Sequence, residues 1–325
     1  MSPARTSAGA AGAPAPGALF PDRAAIEAAA ALIGGRVRRT PVVDVEYAPG
    51  RTVTLKLEQL QHTGSFKPRG AFNSVLSASE RPELLIAASG GNHGLAVAHV
   101  GAALGIPTEI FVPETAPQVK VNGIRSRGAT VTLVGSSFAE AHQASVARAA
   151  ETGGFQIHAY DGLATLTGQG TLGREIESQV PDADTIVVAV GGGGLMGGIA
   201  SWWAGRAGII AVEPVGCPTL HSALAAGEPV DVEVSGIAAD SLGARRIGNG
   251  GFAAAVNARA TSVLVAPEDI VAARQFLWRE LRIVAEPGGA AALAAVLSGA
   301  YVPAPDSRTV VVVCGANTDP SDLGL

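Results

Sequence analysis

A chain of 325 residues suits roughly two lobes, since domains cluster at about 100–200 residues. Apolar residues make up 47% and charged residues 16%, which supplies a large core and excludes wholesale disorder. A formal net charge of −5 argues against a nucleic-acid partner or an acidic membrane surface, and Cys217 and Cys314, with no metal spacing around them, exclude a disulfide framework or a zinc module.

From the N-terminus, residues 1–20 are dominated by Ala, Gly and Pro and read as a disordered tail. The Leu/Val-rich stretch of a signal peptide is missing there, so a soluble, cytoplasmic protein is expected. Beyond Arg51, apolar runs of strand length alternate with Ala-rich helical stretches. Strands are expected at Thr52–Gln59, Leu84–Ser89, Glu109–Pro113, Thr130–Gly135, Phe155–Tyr160, Thr185–Val190, Gly208–Glu213, Ser262–Ala266 and Thr309–Cys314. Several are apolar on both faces, as in a parallel sheet covered by helices on each side. Ser136–Gly153 carries helical spacing with a glycine stop. The fold class is therefore α/β, doubly wound, with mostly parallel sheets in two lobes. The larger lobe is expected from 21–83 plus 155–325, with 84–154 a smaller lobe inserted in it. The charge-free stretch Thr185–Gly205 is no membrane span, because its four consecutive glycines would cost a helix about 1 kcal/mol each relative to alanine.

Open α/β sheets bind ligands beyond the carboxyl ends of their strands, so the residues that follow each strand carry the functional signal. Glycine, at 42 residues, is close to twice its usual share of about 7%, and much of it gathers at these places. Gly191–Gly194 precedes a helix and forms an anion cradle, since successive bare N–H groups and a helix start favour a phosphate. Gly90, Gly91 and Asn92 follow another strand; their amides suit a carboxylate or phenolic oxygen. A third strand ends in Cys314–Asn317, and a fourth leads into His62–Gly70. Gly192, Gly194 and Gly197 also fit the dinucleotide fingerprint G-x-G-x-x-G, with Glu213 at the acidic spacing. A nicotinamide oxidoreductase follows from that segment alone, but it leaves the other three strand ends unexplained.

Of 23 basic residues only Lys56, Lys67 and Lys120 are lysines. An amine of tunable pKa forms a Schiff base, which a guanidinium cannot. Lys67 stands at a helix start with Ser65 as its expected cap, where the helix dipole disfavours an ammonium. Lys56, in a strand, and Lys120, on a helix surface, suit solvent or ion-pair roles.

SFKPRGA (Ser65–Ala71), SGGNHGLAVA (Ser89–Ala98), the GQGT segment (Gly168–Ile176), GGGGL (Gly191–Leu195), VEP (Val212–Pro214), EPGGAAALAA (Glu286–Ala295) and CGAN (Cys314–Asn317) occur in order. Together they resemble the pyridoxal-phosphate-dependent serine/threonine dehydratase family, of the tryptophan-synthase-β-like fold type II. The resemblance covers nearly everything after Pro21. It implies pyridoxal 5'-phosphate bound as a Schiff base to Lys67, with Phe66 beside the ring. Asn92 is implied at the ring hydroxyl, Gly191, Gly192, Gly193, Gly194 and Leu195 at the phosphate, and Cys314 at the pyridine nitrogen. Ser89, Gly90, Gly91, Asn92 and His93 form the implied substrate-carboxylate segment; His93 has no chemical role of its own in this reading. The implied reaction is β-elimination from a β-hydroxy amino acid, L-threonine or L-serine, to a 2-oxo acid and ammonia. Lys67 would serve as the base at Cα, in a homo-oligomeric enzyme (dimer or tetramer).

Three departures qualify the resemblance. Racemases of the family carry a second serine where Gly90 stands, so elimination without efficient racemisation is expected. The family's divalent-cation site pairs a Glu like Glu213 with an acidic residue six positions on, which is Thr219 here, so no metal is expected. The usual Asp-Gly is Asp240-Ser241, which leaves substrate choice open. No regulatory domain follows the catalytic region, so feedback through one is not expected. The other readings are β-replacement, threonine-synthase-like or racemase chemistry, the nicotinamide oxidoreductase, and a cofactor-binding protein without turnover.

Overall fold

The computed structural model describes residues 17–116 and 118–323; all but residues 17–20 of the expected tail lie outside the described residues. Two sheets organise the chain. The larger has six strands in the order β1 (Val42–Ala48), β2 (Arg51–Leu57), β10 (Thr309–Val313), β7 (Thr185–Ala189), β8 (Gly208–Pro214) and β9 (Thr261–Val265). Only β1–β2 is antiparallel. The smaller sheet is parallel, ordered β5 (Thr130–Leu133), β4 (Thr108–Val112), β3 (Leu85–Ala88) and β6 (Phe155–Gln156), and all its strands fall between β2 and β7 in the chain. β10 and β3 are buried at every position, which is why their sequences run apolar without alternation.

Two expectations need correction. β1 is a strand the apolar runs did not announce, because Asp44 and Glu46 interrupt it on the exposed face of an edge hairpin. The run Phe155–Tyr160 is a strand for only two residues. Nδ1 of His158 accepts from the N–H groups of Tyr160 (3.2 Å) and Asp161 (2.9 Å), turning the chain out of the sheet.

Helices α1 (Arg23–Leu32), α6 (Leu163–Gln179), α7 (Gly194–Trp203), α8 (Thr219–Ala226), α9 (Ala239–Leu242), α10 (Asn249–Ala258), α11 (Pro267–Leu281) and α12 (Pro287–Leu297) accompany the larger sheet; α3 (Asn92–Leu104), α4 (Gln118–Arg125) and α5 (Phe138–Thr152) accompany the smaller, whose core α2 (Lys67–Leu76) joins through Ala71, Phe72 and Val75. Local chemistry sets their ends. Ser137 and Glu140 close a capping box at the start of α5, and Gly153 ends it in the left-handed conformation. No helix among the described residues is long and apolar enough to cross a membrane.

The contact that fixes α2 is close packing against α6. A Cβ at Gly168 would lie 2.4 Å from the Arg69 carbonyl oxygen, so only glycine lets the two backbones approach this way. A buried ionic cluster then locks the register. Arg69 Nε donates to Glu58 Oε1 at 2.6 Å, and its Nη2 donates to Glu58 Oε2 and Glu175 Oε2, each at 3.0 Å. Lys56 Nζ donates to Glu175 Oε1 at 2.5 Å and to the Thr40 carbonyl at 2.6 Å. Burial alone would raise the Glu175 carboxyl, but Arg69 and Lys56 hold it below its ordinary value. Two cations thus face two carboxylates, and Lys56 takes the ion-pair role rather than the solvent one. Removing one member leaves a buried charge uncompensated. Arg69→Ala should cost about 3–5 kcal/mol, read as a lower midpoint in urea unfolding followed by circular dichroism.

Candidate active site

α2 begins at Lys67 itself. Its N-cap is Phe66, with no side-chain capping bond, so Ser65 is not the cap expected from the sequence. Ser65 is extended and forms a bridge with Gly315, its hydroxyl buried without a partner. The Phe66 N–H donates to the Cys314 carbonyl (3.2 Å), and the Ala316 N–H donates to the Gly64 carbonyl (2.9 Å). The end of β10 therefore clamps the segment that delivers Lys67.

Nζ of Lys67 donates to the Ala159 carbonyl at 2.7 Å and lies 5.1 Å from the centre of the Phe66 ring. Burial lowers its pKa from 10.5 to about 8, against the opposing pull of Cys314 and Glu286. Desolvation, more than the helix dipole, does this work. The result is an amine with an appreciable neutral fraction near neutral pH.

Across the same cleft runs Gly191–Gly194. The carbonyls of this turn are tied back: Thr219 Oγ1 donates to Gly191 O (2.7 Å), Gly248 N–H to Gly192 O (3.0 Å) and Gly197 N–H to Gly193 O (2.8 Å). N–H groups are left to face the cleft at the start of α7, where the first amides of a helix have no internal acceptor. The glycines are required by packing. A Cβ at Gly192 would meet the Tyr160 ring at 2.3 Å, one at Gly194 the Tyr160 carbonyl at 2.7 Å, and Gly193 has φ +87°.

Asn92, first residue of α3, lines the cleft from the side of the smaller sheet, and its Nδ2 donates to Glu286 Oε1 at 2.6 Å. Cys314 lines it from β10. Burial pushes this thiol up to about 12, helped by Glu286, and Sγ donates to the Gly288 carbonyl at 3.6 Å. It stays neutral at physiological pH and cannot act as a carboxylate would.

The fold thus brings Phe66, Lys67, Asn92, Gly191–Leu195 and Cys314 into one cleft. Ser89, Gly90, Gly91 and His93 do not line it. Ser89 to Gly91 are half-buried at the α3 N-terminus, where Ser89 Oγ accepts from the Gly91 N–H (3.2 Å). His93 is buried with Nε2 against the Ile157 carbonyl at 2.8 Å; burial, then Lys67, lower its pKa to about 3. Three polar cleft residues had been given no site role from the sequence: Glu286, Tyr160 and Ser241. Glu286 opens the EPGGAAALAA motif, which was the available signal; its carboxyl is pushed up to about 7, chiefly by burial.

Glu213 does not serve a ribose. Its oxygens accept from the Leu220 N–H (2.7 Å), the His221 N–H (2.8 Å) and Thr219 Oγ1 (2.9 Å), so the carboxylate caps α8 beneath the tetraglycine turn.

The model for the family described as "Pyridoxal-phosphate dependent enzyme" matches residues 33–315. The chain belongs to this family. It is 36% identical over 299 residues to an L-threonine ammonia-lyase of Geobacter sulfurreducens, covering 89% of this chain and 74% of the relative. A phenylserine dehydratase of Ralstonia pickettii is 34% identical over 311 residues, 92% of this chain and 94% of that one. Among solved structures, maize serine racemase superposes with a TM-score of 0.88 at 31% identity, over 93% of this chain and 95% of the other. The fold is thus that of the fold type II pyridoxal-phosphate enzymes. The residues present fit that cofactor: a bare-amide turn that a Cβ would fill, and a buried amine of lowered pKa in the same cleft.

Only the neutral amine condenses with an aldehyde. The rate at which cofactor-free protein takes up pyridoxal phosphate should therefore rise with pH around a midpoint near 8, well below the ordinary 10.5 of lysine, when followed by visible absorbance. Lys67→Ala should abolish the band, and Gly192→Ala, which must displace the Tyr160 ring, should weaken cofactor affinity in the same titration.

Proposed function

We propose that the protein is an ammonia-lyase that converts a β-hydroxy amino acid, L-threonine or L-serine first among them, to a 2-oxo acid and ammonia. The observation that carries this reading is Lys67: a buried amine of lowered pKa that shares one cleft with an anion cradle and with no ionised acid at Cys314. Bound pyridoxal phosphate supplies an electron-withdrawing ring that acidifies the Cα–H of an attached amino acid.

The chain's own groups do the rest. The amides of Gly191–Leu195 hold the phosphate, Phe66 flanks the ring, and Asn92 presents an amide N–H to the ring hydroxyl. Lys67 Nζ would be the group that accepts the Cα proton. Cys314 would offer the ring a neutral thiol and no carboxylate, which would favour elimination, the Cα proton and the β-hydroxyl together leaving as water, over long-lived carbanion chemistry. The small residues Ser89, Gly90 and Gly91 before α3, where the first amides of a helix have no internal acceptor, suit the substrate carboxylate.

A racemase is the second reading, favoured by the likeness to maize serine racemase. Gly90 argues against it. Glycine has no group to return a proton to the opposite face of Cα, and a Cβ there would stand 3.1 Å from Val112 Cγ1. The phenylserine dehydratase relative widens the substrate panel to β-aryl amino acids.

Holoenzyme incubated with L-threonine, L-serine or L-phenylserine should release ammonia and 2-oxo acid in equal amounts, as measured by coupled assay. Chiral chromatography of the serine reaction should show D-serine forming far more slowly than pyruvate; equal rates would replace the lyase by the racemase.

A further inference from the structure

Asn92 can serve a ring oxygen only if the nitrogen edge of its amide, and not the oxygen edge, faces the cleft. The chain contains a device that decides this. Asn317 Nδ2 donates to the Thr63 carbonyl at 2.7 Å and to Asn92 Oδ1 at 2.6 Å. A backbone carbonyl can only accept, so Thr63 fixes which end of the Asn317 amide is nitrogen. Asn317 in turn fixes Oδ1 of Asn92 on its own side. On the opposite edge, Asn92 Nδ2 donates to Glu286 Oε1 at 2.6 Å. Inverting the Asn92 amide would set nitrogen against nitrogen at Asn317 and oxygen against oxygen at Glu286.

The polarity of this relay points into the site. Asn92 and Glu286 line the cleft and Asn317 does not, so the nitrogen edge is the cleft edge. Nδ2 has two hydrogens, and only one is committed to Glu286 among the described residues. The upstream end is built under strain. Thr63, a β-branched residue, sits at φ 63° and ψ 11°, and a Cβ at Gly64 would come 2.8 Å from Asn317 Oδ1. Such a conformation is costly and persists where the surroundings over-determine it.

We infer that Asn317 and Glu286 are positioning residues that hold the Asn92 amide in one orientation, with its spare N–H turned toward the ring oxygen of the cofactor. This rests on the reading of Asn92 given above. Glu286 acts as an acceptor, and the role does not require its charge.

The test is cofactor binding by the full-length protein, stripped of pyridoxal phosphate and titrated with it, followed by the visible band and by the pH titration of that band. In Asn317→Asp the new carboxylate cannot donate to Thr63 or to Asn92, so the bond that holds Oδ1 of Asn92 is lost and a carboxylate faces that oxygen. Affinity should fall roughly tenfold to hundredfold, the loss of one hydrogen bond to a charged oxygen, and the band should titrate at a different pH. Glu286→Gln keeps an acceptor and should retain the parent's affinity and titration, whereas Glu286→Leu should lose both. Parent-like binding by Asn317→Asp overturns the inference, as does equal loss in the Gln and Leu variants. If Asn317→Asp fails to fold by circular dichroism, the Glu286 pair decides alone. Asn92→Ala separates the two levels: parent-like binding there removes the ring-oxygen role of Asn92 itself, and the relay with it.

Discussion

The geometry of the cleft depends on a charge balance buried beneath it. Arg69 lies two residues beyond Lys67 on the first turn of α2, and its guanidinium is shared between Glu58, just after β2, and Glu175, on α6. Each of these elements is thereby fixed relative to the others before any ligand is considered. Such clusters do little for net stability, because desolvation offsets most of the attraction. What they supply here is register: α2 can neither slide nor rotate without uncovering a charge. Lys67 is consequently delivered to one place, at the mouth of the strand ends, with β10 clamping the residues in front of it.

Each of the three lysines has a specific use. Lys56 completes the buried cluster, where burial lowers its pKa and Glu175 opposes the shift. Lys67 has no salt-bridge partner, and desolvation outweighs the opposing pull of Cys314 and Glu286, which leaves a usable amine. Lys120, on α4 beside the smaller sheet, pairs with Asp240 on α9 beside the larger one. That pair links an element beside the smaller sheet to one beside the larger, a place where the sequence showed only a charged helix surface. Exposed pairs of this kind contribute little to stability, about 0–1 kcal/mol.

The cleft is polar in a controlled way. Cys314 is neutral, Glu286 titrates near pH 7, and the tetraglycine turn offers amide dipoles without side chains. Backbone groups and the amides of Asn317 and Asn92, which do not titrate, place most of the donors and acceptors, and Glu286 is their titratable partner. The orientation of Asn92 follows from this: a backbone carbonyl at Thr63 fixes it through Asn317. Electrostatics of this type favours binding one anion and one ring while leaving the reactive proton to a single amine.

How much the sequence determined follows from the range over which each signal acts. Apolar runs such as Thr309–Val313 and Thr185–Ala189 announce central parallel strands because they are buried on both faces. Glycine clusters announce close backbone approach, and three lysines among 23 basic residues narrow the candidates for amine chemistry. Those properties are local, so composition and spacing carry them. The edge strand β1 was hidden because its exposed face mixes charge into the pattern, and the end of β6 was set by a histidine that caps the turning backbone. Ser65 looked like a cap, but the clamp from β10 put Phe66 in that place. Which carboxylate neutralises which cation, that Glu213 turns under the glycine turn to cap α8, and that Glu286 meets Asn92 were decided by tertiary structure alone. Partners separated by 106 residues (Arg69 and Glu175) or 194 (Asn92 and Glu286) leave no periodic trace, because their pairing exists only once the two sheets are packed.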